Sequence, residues 1–278
     1  MRLLHRIPTR APLPILMIVA ALACGALPAL SQYPPPAPLP LEELDRLVAP
    51  IALYPDPLLA QALAASTFPD EIPDAARWAD QHSYLKGDDL ARAISEDHLP
   101  WDPSVQALLP FPSVLDMMAR DPEWARRLGD AFLSQHDQVM DAVQRMRQKA
   151  KDYGYLRSNG QIQVISAAPG AIEIVPVNPA FFFVPVYDPL MVFAPPRPGF
   201  RIVAAISFGP GIAIGAAFAP WGWGAVHFDW GLHSVIINNR PWGRTFVNRR
   251  EYIHPYSLQR YRPEHREEHH ELRGRERH

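Results

Sequence analysis

"GYLRSNGQIQVISA", Gly154–Ala167, is where the periodicity of the chain changes. Up to Tyr153 the apolar residues recur every three or four positions, the spacing of one helix face. From Gln161 onward polar and apolar residues alternate, the spacing of a half-buried strand. Gly154 and the Ser158-Asn159-Gly160 turn separate the two regimes. The fold class read from this change is α+β: an array of short helices, a small β-rich section and a disordered charged tail. Working outward, the boundaries are a helical part at 41–156, a Gly- and Trp-containing β part at 157–248, and a tail at 249–278. Residues 1–31 read as a signal peptide and 32–40, "QYPPPAPLP", as an extended proline-rich linker.

The helical part is punctuated by Asp-Pro. Asp56-Pro57, Asp102-Pro103 and Asp121-Pro122 each precede helix-forming sequence. Asp caps the free amides of a first turn, and Pro follows where its missing N–H costs nothing. All three aspartates are therefore expected to be caps and not reactive carboxylates. Asp188-Pro189 is expected to open a turn. The stripe Trp124, Leu128, Phe132, Val139, Val143, Met146, Ala150 and Tyr153 predicts one long helix over 122–155. His136 falls on that stripe and reads as a hydrogen-bonded residue at the core edge.

In the β part, "QIQVISA" and "AIEIVPV" flank "APG" and predict a hairpin. "FFFVPVYDP" follows as a more buried strand, with Pro185 marking an edge or a bulge. Ile202–Ala219 carries no charge across eighteen residues. Gly209-Pro210-Gly211 at its midpoint predicts a hairpin of its two halves; the alternative is a membrane helix over 202–219. Trp221, Trp223, Trp230 and Trp242 are expected to pack across glycines in small strands.

With 278 residues and a formal net charge of −2, the chain can bury a sizeable core and has no electrostatic pull toward nucleic acid. Arg2, His5, Arg6 and Arg10 form a basic leader before the apolar run Leu13–Leu27, and Ala29 and Ser31 suit cleavage before Gln32. The expected location is the periplasm or cell envelope after cleavage. Cys24, the only cysteine, lies in "AALAC", a loose match to a lipoprotein signal. It is the lipidation candidate, and an outer-membrane lipoprotein is the alternative location.

No Gly-rich phosphate loop, nucleophile elbow or cysteine pair is present, and no cofactor is expected. In the tail, His265, Glu268 and His269 spell H-x-x-E-H. One-sided low-complexity surroundings and the lack of a third ligand point to weak, opportunistic zinc binding by His265, His269 and His270, without catalysis. His227, Asp229 and His233 form the best cluster in the folded part. A strand would put His227 and Asp229 on one face as a structural pair.

"LDRLVAPIALYPDPLLAQALAASTFPDEI", "AARWAD", "WDPSVQALLPFPSVLDMM", "GYLRSNGQIQV" and "IVPVNPAFFFVPVYDP" occur in that order. Over roughly 44–193 the chain resembles the bacterial family called domain of unknown function 3300. The resemblance implies an exported envelope protein and supplies no activity and no catalytic residues. The leading expectation is a non-catalytic interaction or scaffolding module whose partner is an envelope protein or cell-wall glycan. One alternative is a cell-wall-acting hydrolase with unassigned acids; the other is a membrane-anchored protein using 202–219.

Overall fold

Helix α2 (Asp56–Ser66) is rich in Leu and Ala on every side, and ten of its eleven residues are buried. A helix apolar all round belongs in the middle of a core, and the fold is arranged around this one. The computed structural model describes residues 36–167, 170–196, 205–252 and 255–258. Before α2 comes α1 (Leu41–Val48), and after it α3 (Ile72–Gln81), α4 (Gly87–Glu96), α5 (Pro103–Gln106), α6 (Pro112–Arg120), α7 (Pro122–Ser134) and α8 (His136–Asp152). Helices α5 and α7 pack directly on α2. Gly129 in α7 permits the closest approach: a Cβ there would lie 2.0 Å from the Ser66 carbonyl oxygen.

The single helix expected over 122–155 is two helices. The break falls at Gln135, whose backbone leaves the helical region at φ −135°. Its side chain accepts from the Leu39 N–H at 2.7 Å and donates to the Leu39 carbonyl at 3.2 Å. That two-sided clamp holds the proline-rich lead-in against the α7–α8 junction. The apolar stripe survives the break, since Phe132 and Val139 on either side are fully buried.

Three of the four Asp-Pro pairs are caps. Asp102 accepts from the Ser104 N–H at 2.9 Å, and Asp121 accepts from the Trp124 N–H at 2.9 Å. Asp188, expected to open a turn, caps the one-turn helix α9 (Pro189–Val192) by accepting from the Leu190 N–H at 2.9 Å. Because the Asp121 cap is exposed, Asp121→Ala is expected to cost about 1 kcal/mol, read from the midpoint of urea unfolding.

Strands β1 (Ile162–Ser166) and β2 (Ile172–Pro176) form the expected hairpin, with Val164 opposite Ile174. The next pairing differs from expectation. Strands β3 (Phe181–Phe182) and β4 (Pro185–Tyr187) pair with β6 (Ile212–Ala213) and β5 (Ile206–Phe208), respectively. The four strands make one antiparallel ribbon in which Phe183 and Val184 oppose Gly209, Pro210 and Gly211. One extra residue on one side is a β-bulge. Gly209-Pro210-Gly211 is thus the bulge of a longer ribbon and not the turn of a short hairpin; Pro185, where an edge or a bulge was expected, pairs with Phe208, and the extra residue is on the facing strand. A Cβ at Gly211 would sit 3.0 Å from the tip of the Phe183 ring, so a larger residue there requires that ring to shift by a few tenths of an ångström.

The membrane-helix alternative falls with this pairing. Ile206–Ala213 is strand and bulge, and Ala216–Trp221 is a 3-10 helix. Among the described residues no helix is long and apolar enough to cross a membrane.

Strands β7 (Val226–Asp229), β8 (Ser234–Ile237) and β9 (Arg240–Pro241) form a three-stranded antiparallel sheet. Trp221, Trp223, Trp230 and Trp242 are all buried. They pack on the helices instead of across glycines in strands: Trp221 donates to Gln106 Oε1 at 3.0 Å and Trp223 to the Ala107 carbonyl at 3.1 Å. One apolar cluster therefore runs from Leu44 to Tyr256 through both halves. Tyr252 and Tyr256, which composition places in the tail, pack against it, and Tyr256 donates to Gln61 Oε1 at 2.6 Å.

Candidate functional site

Asp56 is the carboxylate that the sequence reading placed wrongly. Pro55 fills the cap position of α2 and Asp56 is its first helical residue, with side-chain hydrogen bonds that leave the helix. Its side chain is 7% exposed and turns away from the helix to Arg147, whose side chain is fully buried; Nη1 lies 2.7 Å from Oδ1. Asp56 Oδ1 also accepts from the Ile174 N–H at 3.2 Å, and Oδ2 accepts from the Trp230 indole N–H at 3.0 Å. Arg147 donates onward to the carbonyls of Ala52, Tyr54 and Ile172, and the Trp230 ring lies 5.0 Å from its guanidinium carbon. A buried charge is tolerated only when paired and hydrogen-bonded, and these contacts meet that demand. The pair joins α2, α8, β2 and the end of β7. Its geometry fits a fastening between the two halves, since every polar atom of the carboxylate faces a donor.

The sequence carried a sign of Arg147. It stands four residues after Val143 and three before Ala150, a cation on the apolar face of α8. The partner, ninety-one positions back, left no such sign.

Other ionisable groups respond to the same burial. The Glu173 carboxyl, beside this pair on β2, is raised above its usual value by desolvation and by the Asp56 charge. Tyr187 is raised well above its ordinary value by desolvation of its hydroxyl, which donates to the Ala49 carbonyl at 2.8 Å.

The expected cluster His227, Asp229 and His233 does not converge. His227 is exposed, Asp229 accepts from the Leu232 N–H at 3.0 Å within its own turn, and His233 Nε2 lies 2.8 Å from Asp141 Oδ1 on α8. His136 starts α8 with its ring against Phe132, centroids 4.3 Å apart. Burial lowers its pKa from the ordinary 6.5, partly offset by the Asp137 charge. A histidine depressed in the folded state stabilises the fold above pH 6.5 and loses that contribution as pH falls toward its folded value. Thermal melting of the wild type should therefore fall more steeply below pH 6.5 than that of His136→Gln.

Among the described residues no three His, Cys, Asp or Glu side chains are placed to hold a metal ion. Cys24, His265, His269 and His270 lie outside the described residues.

Phe181, Val186, Leu190 and Met191 are 43%, 56%, 86% and 51% exposed, four large apolar side chains within eleven residues of the ribbon and α9. Of these, Leu190 also lines a cleft of about 580 Å³ between α1, α8 and α9. Its floor is Ala49, Met146, Leu190 and Phe193, and its rim carries Glu42, Asp45, Arg46 and Lys149. Asp45 accepts from Arg145 at 2.8 Å and Lys149 at 2.9 Å, so the rim is held rigid by its own ion pairs. No sequence signal marked this cleft, because its floor comes from three distant segments.

A family model described as a protein of unknown function, DUF3300, matches residues 41–270. That span continues past the ribbon through the Trp-containing sheet. The uncharacterized protein YacH of Escherichia coli strain K12 is 32% identical over an alignment covering 72% of this chain and 40% of that relative. The chain thus spans well under half the length of the relative. No solved structure matches the chain.

Proposed function

With the chain's membership of the DUF3300 family as premise, we propose that it is an exported envelope protein that works as a non-catalytic interaction module. The observation that carries this reading is the cleft between α1, α8 and α9, with the exposed Leu190 in its wall and exposed Phe181, Val186 and Met191 close to it in sequence. An apolar cleft rimmed by charged groups, with large apolar side chains left exposed nearby, is a usual mark of a contact site. The basic leader and apolar core of residues 1–31 support export.

A photo-crosslinking residue at Val186 or Leu190 in the expressed protein is expected to give a discrete adduct. The same residue at Val247, 88% exposed elsewhere on the surface, should give none. Equal labelling at all three positions would reject the site. Mass spectrometry of the mature protein tests the location: a start at Gln32 supports simple cleavage, and a diacylglyceryl Cys24 supports the lipoprotein form. The tail histidines His265, His269 and His270 enter as a weak zinc-binding element, which titration of a tail peptide measures.

A hydrolase acting on wall polymer is the second reading. Asp80 and Asp116 line one open groove of about 700 Å³ between α3 and α6, flanked by Arg77 and Arg120. Release of soluble fragments from purified wall by the wild type, abolished in Asp80→Asn/Asp116→Asn, would establish it over the binding module.

A further inference from the structure

A smaller pocket of about 260 Å³ lies between the loop after α8 and strand β5. Its walls include Tyr155, Arg157, Asn159, Ile162, Ile206 and Phe208, and neither functional reading uses it. Leu156 and Ile162 at its base are 3% and 2% exposed and belong to a separate apolar cluster shared by the hairpin and the ribbon.

Arg157 and Asn159 supply the cation and the amide of this pocket's wall. Among the described residues no acid lines it and none pairs with Arg157. Asn159 Oδ1 accepts from the Gln161 N–H at 2.8 Å and the Ile162 N–H at 3.0 Å. With the oxygen end of that amide committed to the turn, the other end is the NH₂ group, which carries two donors. Ser158 Oγ is likewise committed, accepting from the Val164 N–H at 2.9 Å, and this fixes the loop that presents Arg157.

We propose that this pocket binds a carboxylate carried on a short apolar group, with the carboxylate on Arg157 and Asn159 and the apolar group against Ile162, Ile206 and Phe208. Three features select that chemistry. The guanidinium fork matches a planar carboxylate through two parallel hydrogen bonds. One cation balances one carboxylate, whereas a phosphate monoester would bring nearly twice the charge. The volume falls below the roughly 300–1,000 Å³ of sites for drug-sized ligands, so the occupant is an end group of about one residue. The terminal residue of a peptide suits the surroundings, because among the described residues β5 pairs with β4 alone, and its other backbone edge can accept an incoming strand.

The test uses the full chain and a fluorescein-labelled Gly-Gly-Gly-Leu peptide with a free C-terminus, followed by fluorescence anisotropy. Its C-terminal amide is expected to bind about tenfold more weakly or worse, as loss of a charge-assisted pair requires. Arg157→Gln should weaken the acid peptide at least as much, and Arg157→Lys should fall between, since an ammonium is a point charge without the fork. Arg157 is exposed on its loop, so these variants should keep the wild-type melting temperature. Competition by N-acetyl-leucine as effective as by the peptide would support the pocket and assign it to small free acids; weaker competition would support the pocket and assign it to peptide ends. Equal binding of acid and amide, unchanged binding in Arg157→Gln, or no binding up to about 1 mM peptide would overturn the proposal. The crosslinking at Val186 and Leu190 is independent of this outcome.

Discussion

Asp56→Asn is expected to destabilise the protein by about 3–5 kcal/mol. The substitution barely changes volume, so the loss is electrostatic and not a matter of packing. It leaves Arg147, with no exposed side-chain surface, as a buried cation without its counter-charge. It also replaces one oxygen by an NH₂ group. That group must face Arg147 and the Ile174 N–H, or the Trp230 indole, all of them donors. A cap of the Asp121 kind would cost about 1 kcal/mol, and Asn would serve there almost as well as Asp. Urea unfolding distinguishes the two roles by magnitude. The double variant Asp56→Asn/Arg147→Met should regain much of the loss, because removing both charges ends the desolvation penalty. A loss below about 1 kcal/mol in the single variant would return Asp56 to the rank of a helix cap.

Gly129→Ala should cost about 2–3 kcal/mol, against the usual sign for this substitution. In an ordinary helix interior, Ala in place of Gly gains about 1 kcal/mol from propensity alone. Here the added Cβ would meet Ser66 O at 2.0 Å, Ser66 C at 2.6 Å and Thr67 Cα at 3.0 Å. All three are backbone atoms, so no side chain can swing aside, and α7 must move away from α2. Overpacking of this kind typically costs about 1–3 kcal/mol and occasionally more, which outweighs the propensity gain. Gly160→Ala, with nothing within 4 Å of its Cβ, provides the control and should be near neutral. An unchanged or higher unfolding midpoint in Gly129→Ala would show that the two helices do not approach so closely.

The helices, the first hairpin and the change of regime near Gly160 were legible because they rest on local periodicity and turn residues. What was illegible depended on partners remote in sequence. Asp56-Pro57 has the same local grammar as Asp102-Pro103 and Asp121-Pro122, and only Arg147 and Trp230 make it an ion-pair residue. Gly209-Pro210-Gly211 has the composition of a turn, but β3 and β4 compete for the flanking strands and win, so the three residues become a bulge. The break at Gln135 contains neither Pro nor Gly, and it coincides with the clamp on Leu39, a partner ninety-six positions away. Of the candidate site, the apolar content of the ribbon was visible, but not which side chains remain uncovered. Arg157 is an ordinary loop arginine until Ile206 and Phe208 are brought beside it.

The buried polar contacts of α2 also set an order of events during synthesis. Asp56 waits for Trp230, 174 residues later; Thr67 waits for Arg244, 177 later; and Gln61 waits for Tyr256, 195 later. A growing chain can wind α2 early, but it cannot seal that helix until nearly the whole sequence has been made. Contacts of such separation form late and slowly, because loop closure precedes any reward. The helices of residues 41–152 can therefore gather before the polar groups of α2 have all found their partners. Completion of the Tyr256 segment is then the event that commits the molecule to its final shape.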